Sequence, residues 1–101
     1  MSEIVMLQGA GADLIELFNR YEDSLPGLGS RFDKDFCKAC DLLSSHPHIA
    51  PRWRSGFRRL LLRHWQLGLF HEVVGQRVLI HAIMDLRQDP ENILRRLGLR
   101  S

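Results

Sequence analysis

Gly56-Phe-Arg-Arg-Leu-Leu-Leu-Arg-His-Trp65, then Leu67-Gly-Leu-Phe-His-Glu-Val-Val74, then Gly75-Gln76, then Arg77-Val-Leu-Ile-His-Ala-Ile-Met84 and Asp85-Leu-Arg-Gln-Asp-Pro90 form the stretch whose reading decides the fold. Its apolar residues recur with a period near two, which is the signature of strands rather than helices. In the first segment Phe57, Arg59, Leu61, Arg63 and Trp65 point one way, and Arg58, Leu60, Leu62 and His64 the other. Gly75-Gln76 has glycine at the first central position of a two-residue hairpin turn, joining strand Leu67–Val74 to the β-branched and aliphatic strand Arg77–Met84. Asp89-Pro90 is a helix start signal: Pro90 takes the first helical position, Glu91 to Leu97 form a short helix and Gly98 ends it.

Upstream the period changes to three and four. Ile4 to Leu7 is a short apolar stretch that reads as a strand, and Gly9 and Gly11 punctuate it. From Ala12, the residues Leu14, Leu17, Phe18, Tyr21 and Leu25 place an apolar stripe on one helix face, with Asp13 and Glu16 near the positive N-terminal end. Pro26, Gly27 and Gly29 break that helix. A second stripe, Leu28, Phe32, Phe36, Ala39 or Cys40, and Leu43, runs to a stop before Pro47. The expectation is an α+β domain spanning residues 1–101: an N-terminal strand, a two-helix hairpin, an antiparallel β-sheet and a short C-terminal helix.

With 45% hydrophobic and 26% charged residues, the 101-residue chain can bury one modest core and does not have the composition of a disordered tail. It has no apolar run of membrane-spanning length and no basic-then-apolar leader, so no membrane association and a cytoplasmic location are expected. The formal charge of +2 is unevenly placed. Residues 1–45 carry four Lys/Arg against eight acids, and residues 46–101 carry ten against four. Arg52, Arg54, Arg58, Arg59 and Arg63 follow one another without an intervening acid, so the second half is where an anionic partner would land. Arginine suits planar, bidentate contacts to carboxylate or phosphate.

Taken together, several pieces resemble the RelE/ParE superfamily of small bacterial toxins. They are the Ala12-Asp13-Leu14 helix start, Leu25-Pro26-Gly27-Leu28-Gly29 followed by Arg31-Phe32, and His46-Pro47. Gly56-Phe57-Arg58-Arg59, Leu69-Phe70 and Leu86-Arg87-Gln88-Asp89-Pro90 follow in the same order. The resemblance is nearest to the ParE branch, the plasmid-stabilisation toxins, which implies a toxin that binds and inhibits DNA gyrase without catalysis and is neutralised by a cognate antitoxin. The RelE branch implies a different activity, ribosome-dependent cleavage of mRNA. A third alternative is a degenerate member that binds an antitoxin without being toxic. RelE-type chemistry needs cations for the phosphate and a group for proton transfer. Gly68 stands where RelE places an arginine, and no tyrosine or histidine follows the last strand. A nuclease would have to draw on Arg59, Arg63 and Arg87 with a histidine such as His81. The ParE pattern has departures too: Gln66-Leu67 replaces Pro-Tyr, and Phe70-His71-Glu72 replaces Tyr-Tyr-Arg.

For a binding surface the candidates are Arg58, Arg59, Arg63, Trp65 and Arg87. Arg59 has the strongest case, because apolar Phe57 and Leu61 flank it on one strand face and would hold its stem. Each has a plainer reading: a solvated sheet face for the arginines, packing for Trp65, and a local pairing of Arg87 with Asp85 or Asp89. Cys37-Lys38-Ala39-Cys40 has redox spacing but lies far into a helix, and of the two further ligands that zinc would need, His46 and His48 follow closely at a spacing that matches no standard finger. It reads as a pair of reduced thiols, at least one of them packed in the core, and neither cofactor nor metal is expected.

Overall fold

The computed structural model describes residues 1–99 of the protein. Strand β1 (Glu3–Met6) is followed by helices α1 (Gln8–Ser24) and α2 (Leu28–Ser45), then by strands β2 (Arg52–Arg54), β3 (Phe57–Leu62), β4 (Leu67–Val74) and β5 (Arg77–Asp85), and by helix α3 (Pro90–Arg96). The strands form one sheet in the order β1-β5-β4-β3-β2. The chain is therefore α+β, as its sequence indicates. The sheet departs from the antiparallel expectation at one edge: β1 lies parallel to β5, Ile4 beside Val78 and Met6 beside Ile80. The helical hairpin and three strands separate β1 from β5, and a connection that long permits parallel pairing.

The helical hairpin is closed by an acid of its own. Gly27, the residue before α2, takes a left-handed φ of 90° and offers no capping side chain. Glu22 on α1 does the work instead, accepting the Gly27 N–H at 2.9 Å and the Gly29 N–H at 3.0 Å. Two otherwise orphaned helix donors are thereby satisfied, and the carboxylate sits at the positive end of α2. Helix α1 begins at Gln8, so Gly9 and Gly11 lie in its first turns rather than ahead of it. A glycine costs a helix only about 1 kcal/mol, and here tertiary packing outweighs it: Ala10, between the two glycines, is completely buried.

One face of the sheet receives both long helices. Leu17, Phe32, Phe36 and Leu43 meet Leu67, Leu69, Val78 and Ile80 in the main core, and Leu60, Leu62 and Trp65 pack against it. At about 1.5–3 kcal/mol for each large apolar side chain, this layer is the principal source of stability. The opposite face holds a smaller cluster, Phe70, Ala82, Met84 and Ile93, edged by Trp53, Leu86 and Leu97, under the short helix α3. Asp89 caps that helix through the Glu91 N–H at 3.0 Å, and Pro90 occupies its first turn, as the sequence indicates.

Two local differences bear on the site. Residues 52–55, to which the sequence pattern assigns no strand, contain β2, which turns into β3 through Ser55 and Gly56 with φ of 50° and 86°. Positive φ at both central residues is what a two-residue hairpin of type I′ requires. The arginine strand also ends earlier than its alternation suggests. Residues Arg63–Trp65 form a 3-10 turn closed by Gln66 at φ 55°. The turn carries Trp65 to the helix side, where its ring lies 4.7 Å from Tyr21 and 5.3 Å from Phe32, and its Nε1 donates to Asp35 at 2.9 Å. No helix among the described residues is long and apolar enough to cross a membrane.

Candidate functional site: the outer sheet face and the β3 edge

The face of the sheet away from α1 and α2 is built in rows. Antiparallel pairing sets Arg59 beside Phe70 and Leu61 beside Gly68 on β3 and β4; Phe70 in turn lies beside Ala82, and Gly68 beside Met84, on β5. Between Ala82 and Ile80, which pair with Phe70 and His71, His81 is an extra residue, so a β-bulge turns its side chain onto this face. There His81 Nε2 lies 2.6 Å from Glu72 Oε1, and its ring stands edge-on to Phe57 at 4.8 Å.

The candidate arginines have different surroundings. Arg58 is half-buried and donates through Nη1 to the carbonyls of Ala50 at 2.7 Å and His48 at 3.3 Å, pinning the loop that follows α2. Arg59 is half-buried beside Phe70, and among the described residues its side chain makes no hydrogen bond or ion pair. Arg63 is exposed in the 3-10 turn and is likewise uncommitted among the described residues. Arg87 grips Asp85 with both arms of its guanidinium, Nε to Oδ1 at 3.0 Å and Nη2 to Oδ2 at 2.7 Å, while its backbone N–H donates to Oδ1 at 2.8 Å. These bonds from Arg87 hold the Asp85 carboxyl well below the usual range, at about 2. The local pairing of Arg87 is thus with Asp85.

Arg63 and Arg87 converge on a depression of about 330 Å³, together with Leu61, Gln66 and Leu86. Its floor exists because residue 68 is glycine. A Cβ there would meet Leu86 Cδ2 at 2.8 Å and Phe70 Cε2 at 2.9 Å, closer than carbon atoms can approach. The missing side chain lets Leu86 lie down on the sheet beside Leu61. His81 sits two rows along the strands from Leu61, about 13 Å at the rise of a β-strand, so the four nuclease candidates are spread along the face rather than gathered around one point. Sequence reasoning did not find Leu86 and Gln66; the unusual Gly68 was the available signal.

The remaining histidines and the cysteines have other settings. His71 is completely buried on the helix side, with Nδ1 3.1 Å from the Leu69 carbonyl and no partner for Nε2 among the described residues. Burial lowers its pKa, so the ring is neutral and Nδ1 is the donor. His64 is exposed and edge-on to Trp65. Cys37 and Cys40 are free thiols one turn apart on α2; Cys40 packs against the core, and burial raises it to about 11. That favours the thiol over the reactive thiolate.

The geometry has a counterpart among solved structures. A structure described as "Chromosomal ParDE TA system from P. aeruginosa" superposes with a TM-score of 0.75 over 86% of this chain and 98% of that chain, at 21% sequence identity. No protein-family model matches the sequence, and no curated protein is significantly similar to it. The fold is accordingly RelE/ParE-like.

Proposed function

We propose that the protein is the toxin of a type II toxin–antitoxin pair, acting in the ParE manner by binding and inhibiting DNA gyrase, and held inactive by a cognate antitoxin that covers the outer sheet face and the β3 edge. The observation that carries this reading is the filling of the Gly68 site by Leu86 and Phe70. Where RelE-type chemistry calls for another cation, this chain has an apolar floor; a surface of that kind suits binding better than phosphate chemistry. Further support comes from the likeness to a ParDE system and from Arg59 and Arg63, cations with no internal partner among the described residues. Arg58 is tied to the Ala50 and His48 carbonyls and contributes chiefly by holding the loop. Trp65 packs against Tyr21 and Phe32, leaving Arg59, Arg63 and Arg87 as the contact residues.

The hydrogen-bonded pair of His81 and Glu72 gives the ribonuclease alternative its one foothold, since a carboxylate-oriented imidazole can move protons. Induced expression without an antitoxin separates the two. Growth arrest with altered supercoiling, a DNA-damage response and intact mRNA is the expected result; codon-positioned mRNA cleavage, lost in His81→Ala, would replace the inhibitor by the nuclease. Antitoxin affinity should fall as salt is raised, because two of the contact arginines, Arg59 and Arg63, have no internal partner among the described residues.

A further inference from the structure

We infer that the depression between Arg63 and Arg87 is an anchor for one apolar side chain and one carboxylate presented together by a protein partner. The inference rests on the reading that a protein covers this face, and it specifies what that protein must bring.

The charges set the first condition. Arg87 has already committed Nε and Nη2 to Asp85, so across Arg63, Arg87 and Asp85 the site offers one uncompensated positive charge, centred on Arg63. A single carboxylate satisfies it. A phosphomonoester, close to a dianion at neutral pH, would bring nearly two negative charges to a site whose net charge is one, because the Arg87 charge is already compensated by Asp85 in a bidentate pair.

The floor sets the second. Leu61 and Leu86 are half-buried, and the absence of a Cβ at Gly68 keeps them side by side. Covering them with another aliphatic group removes apolar area from water at about 25 cal/mol per Å². A ribose-phosphate chain brings no such group. A nucleobase could contribute by stacking, but the aromatic rings it would need are turned away: Phe70 is completely buried, and Trp65 is engaged with Tyr21 and Phe32. The volume, about 330 Å³, lies at the lower end of the range for ligand pockets and suits one or two side chains. The depression also adjoins the open part of β3. Arg59 N–H bonds outward to the Pro51 carbonyl, so Leu61 turns its backbone groups to the same side, where no strand pairs with them among the described residues. An extended segment can therefore reach the anchor with its main chain already supported.

The test uses the full chain, labelled with ¹⁵N, and follows the backbone resonances of Leu61, Gln66 and Leu86 during titration with N-acetyl-leucine. The controls are N-acetyl-leucinamide, which lacks the carboxylate, N-acetyl-serine, which lacks the apolar group, and a short oligouridylate. Saturable shifts with N-acetyl-leucine are expected, with binding at least about tenfold weaker for either control amino acid and for Arg63→Ala, the factor set by one charge-assisted hydrogen bond. Because Arg63 is exposed and uncommitted, its variant keeps the fold and serves as the clean negative. Equal binding of N-acetyl-leucinamide, no saturable shift with N-acetyl-leucine, or preferential shifts with oligouridylate would each overturn the proposal. Shifts as expected in a chain that causes no growth arrest would leave the anchor standing and remove the toxin reading. Arrest rescued by an antitoxin, with a silent depression, would do the reverse.

Discussion

The two long edges of the sheet are treated in opposite ways. At the β5 edge, β1 pairs only as far as Met6 opposite Ile80, and the strand beyond is closed by side chains. Asp13 Oδ2 accepts the Ile83 N–H at 3.0 Å, and Gln88 Nε2 donates to the Asp85 carbonyl at 3.0 Å. At the other edge, β2 covers β3 only around Arg58 and Phe57, and past Arg59 the backbone is left open beside exposed Arg63. An open edge is a template for unwanted pairing, and natural sheets cover or charge theirs. One edge here is closed with partly buried polar groups and the other is left available; on the function proposed above, stability and recognition fall to separate sides of one sheet. Substitutions at the closed edge should therefore cost folding, and those at the open edge should cost binding.

The largest effect should come from the closed edge. Asp13 is nearly buried, at 12% exposure, and besides the Ile83 N–H it accepts Arg96 Nη2 at 2.9 Å, tying α3 to α1. Asp13→Ala leaves a strand N–H and a guanidinium without their acceptor and should lower stability by about 2–4 kcal/mol, read as a drop in the urea midpoint at unchanged slope. An unchanged midpoint would mean that water replaces the carboxylate and that the edge is not closed in the sense argued. Next is Gly68→Ala, where the new methyl collides with Leu86 and Phe70. Overpacking of this kind costs about 1–3 kcal/mol. It should also lift Leu86 from the anchor, so that the open edge loses binding through a residue no partner touches.

The closed edge could not be read from the sequence, whereas much of the rest could. Helical periodicity, the Gly75-Gln76 turn and the Asp89-Pro90 start are local signals, and the two long helices, the β4–β5 hairpin and α3 lie where those signals place them, apart from the start of α1, which comes earlier, at Gln8 rather than Ala12. Asp13 looked like a helix-dipole acid because its partners lie 70 and 83 residues further on, a distance over which sequence pattern carries no information. Trp65 was misplaced for the opposite reason. The alternation runs on through Arg63-His64-Trp65 with no breaker, and the chain turns on a non-glycine, Gln66, in the left-handed region. The bulge at His81 is equally silent, since an extra residue in one strand is defined only by its neighbour's register. The arginines of the candidate surface are visible in the sequence as a group, but which of them remain free among the described residues is decided by Ala50, His48 and Asp85.

A smaller effect separates the covered and open parts of β3 by pH. Under the covered part, Arg58 pairs across to His71, whose pKa is lowered first by burial and then by the nearby Arg58 charge. The sign follows from linkage: above 6.5, the ordinary value, both states are neutral and nothing changes; below it the unfolded chain takes a proton that the native chain resists. Stability is therefore present above 6.5 and is lost as pH falls toward and through the lowered native value, with a slope of at most about 1.4 kcal/mol per pH unit. Urea midpoints at about pH 7.5 and 5.5 should differ, and His71→Leu should shrink the difference. If the variant keeps the full difference, the titration belongs to another histidine.

The smallest effect on stability belongs to Arg63, and for that reason it gives the sharpest form of the comparison. The side chain is exposed and makes no hydrogen bond or ion pair among the described residues, so Arg63→Ala should leave the urea midpoint unchanged within about 0.5 kcal/mol. If the open edge is the recognition side, the same substitution should weaken binding of an antitoxin encoded beside the gene by about tenfold or more, because the anchor's uncompensated charge goes with it. Arg20→Ala provides the matching control on the closed side. Arg20 pairs with Glu16 at 3.0 Å on the exposed face of α1, and it too should leave stability almost untouched, since an exposed pair contributes little. Equal losses of binding in both variants would point to long-range charge rather than a defined anchor. A loss confined to Arg63→Ala places recognition at the end of β3, where the backbone is open and the arginine is uncommitted.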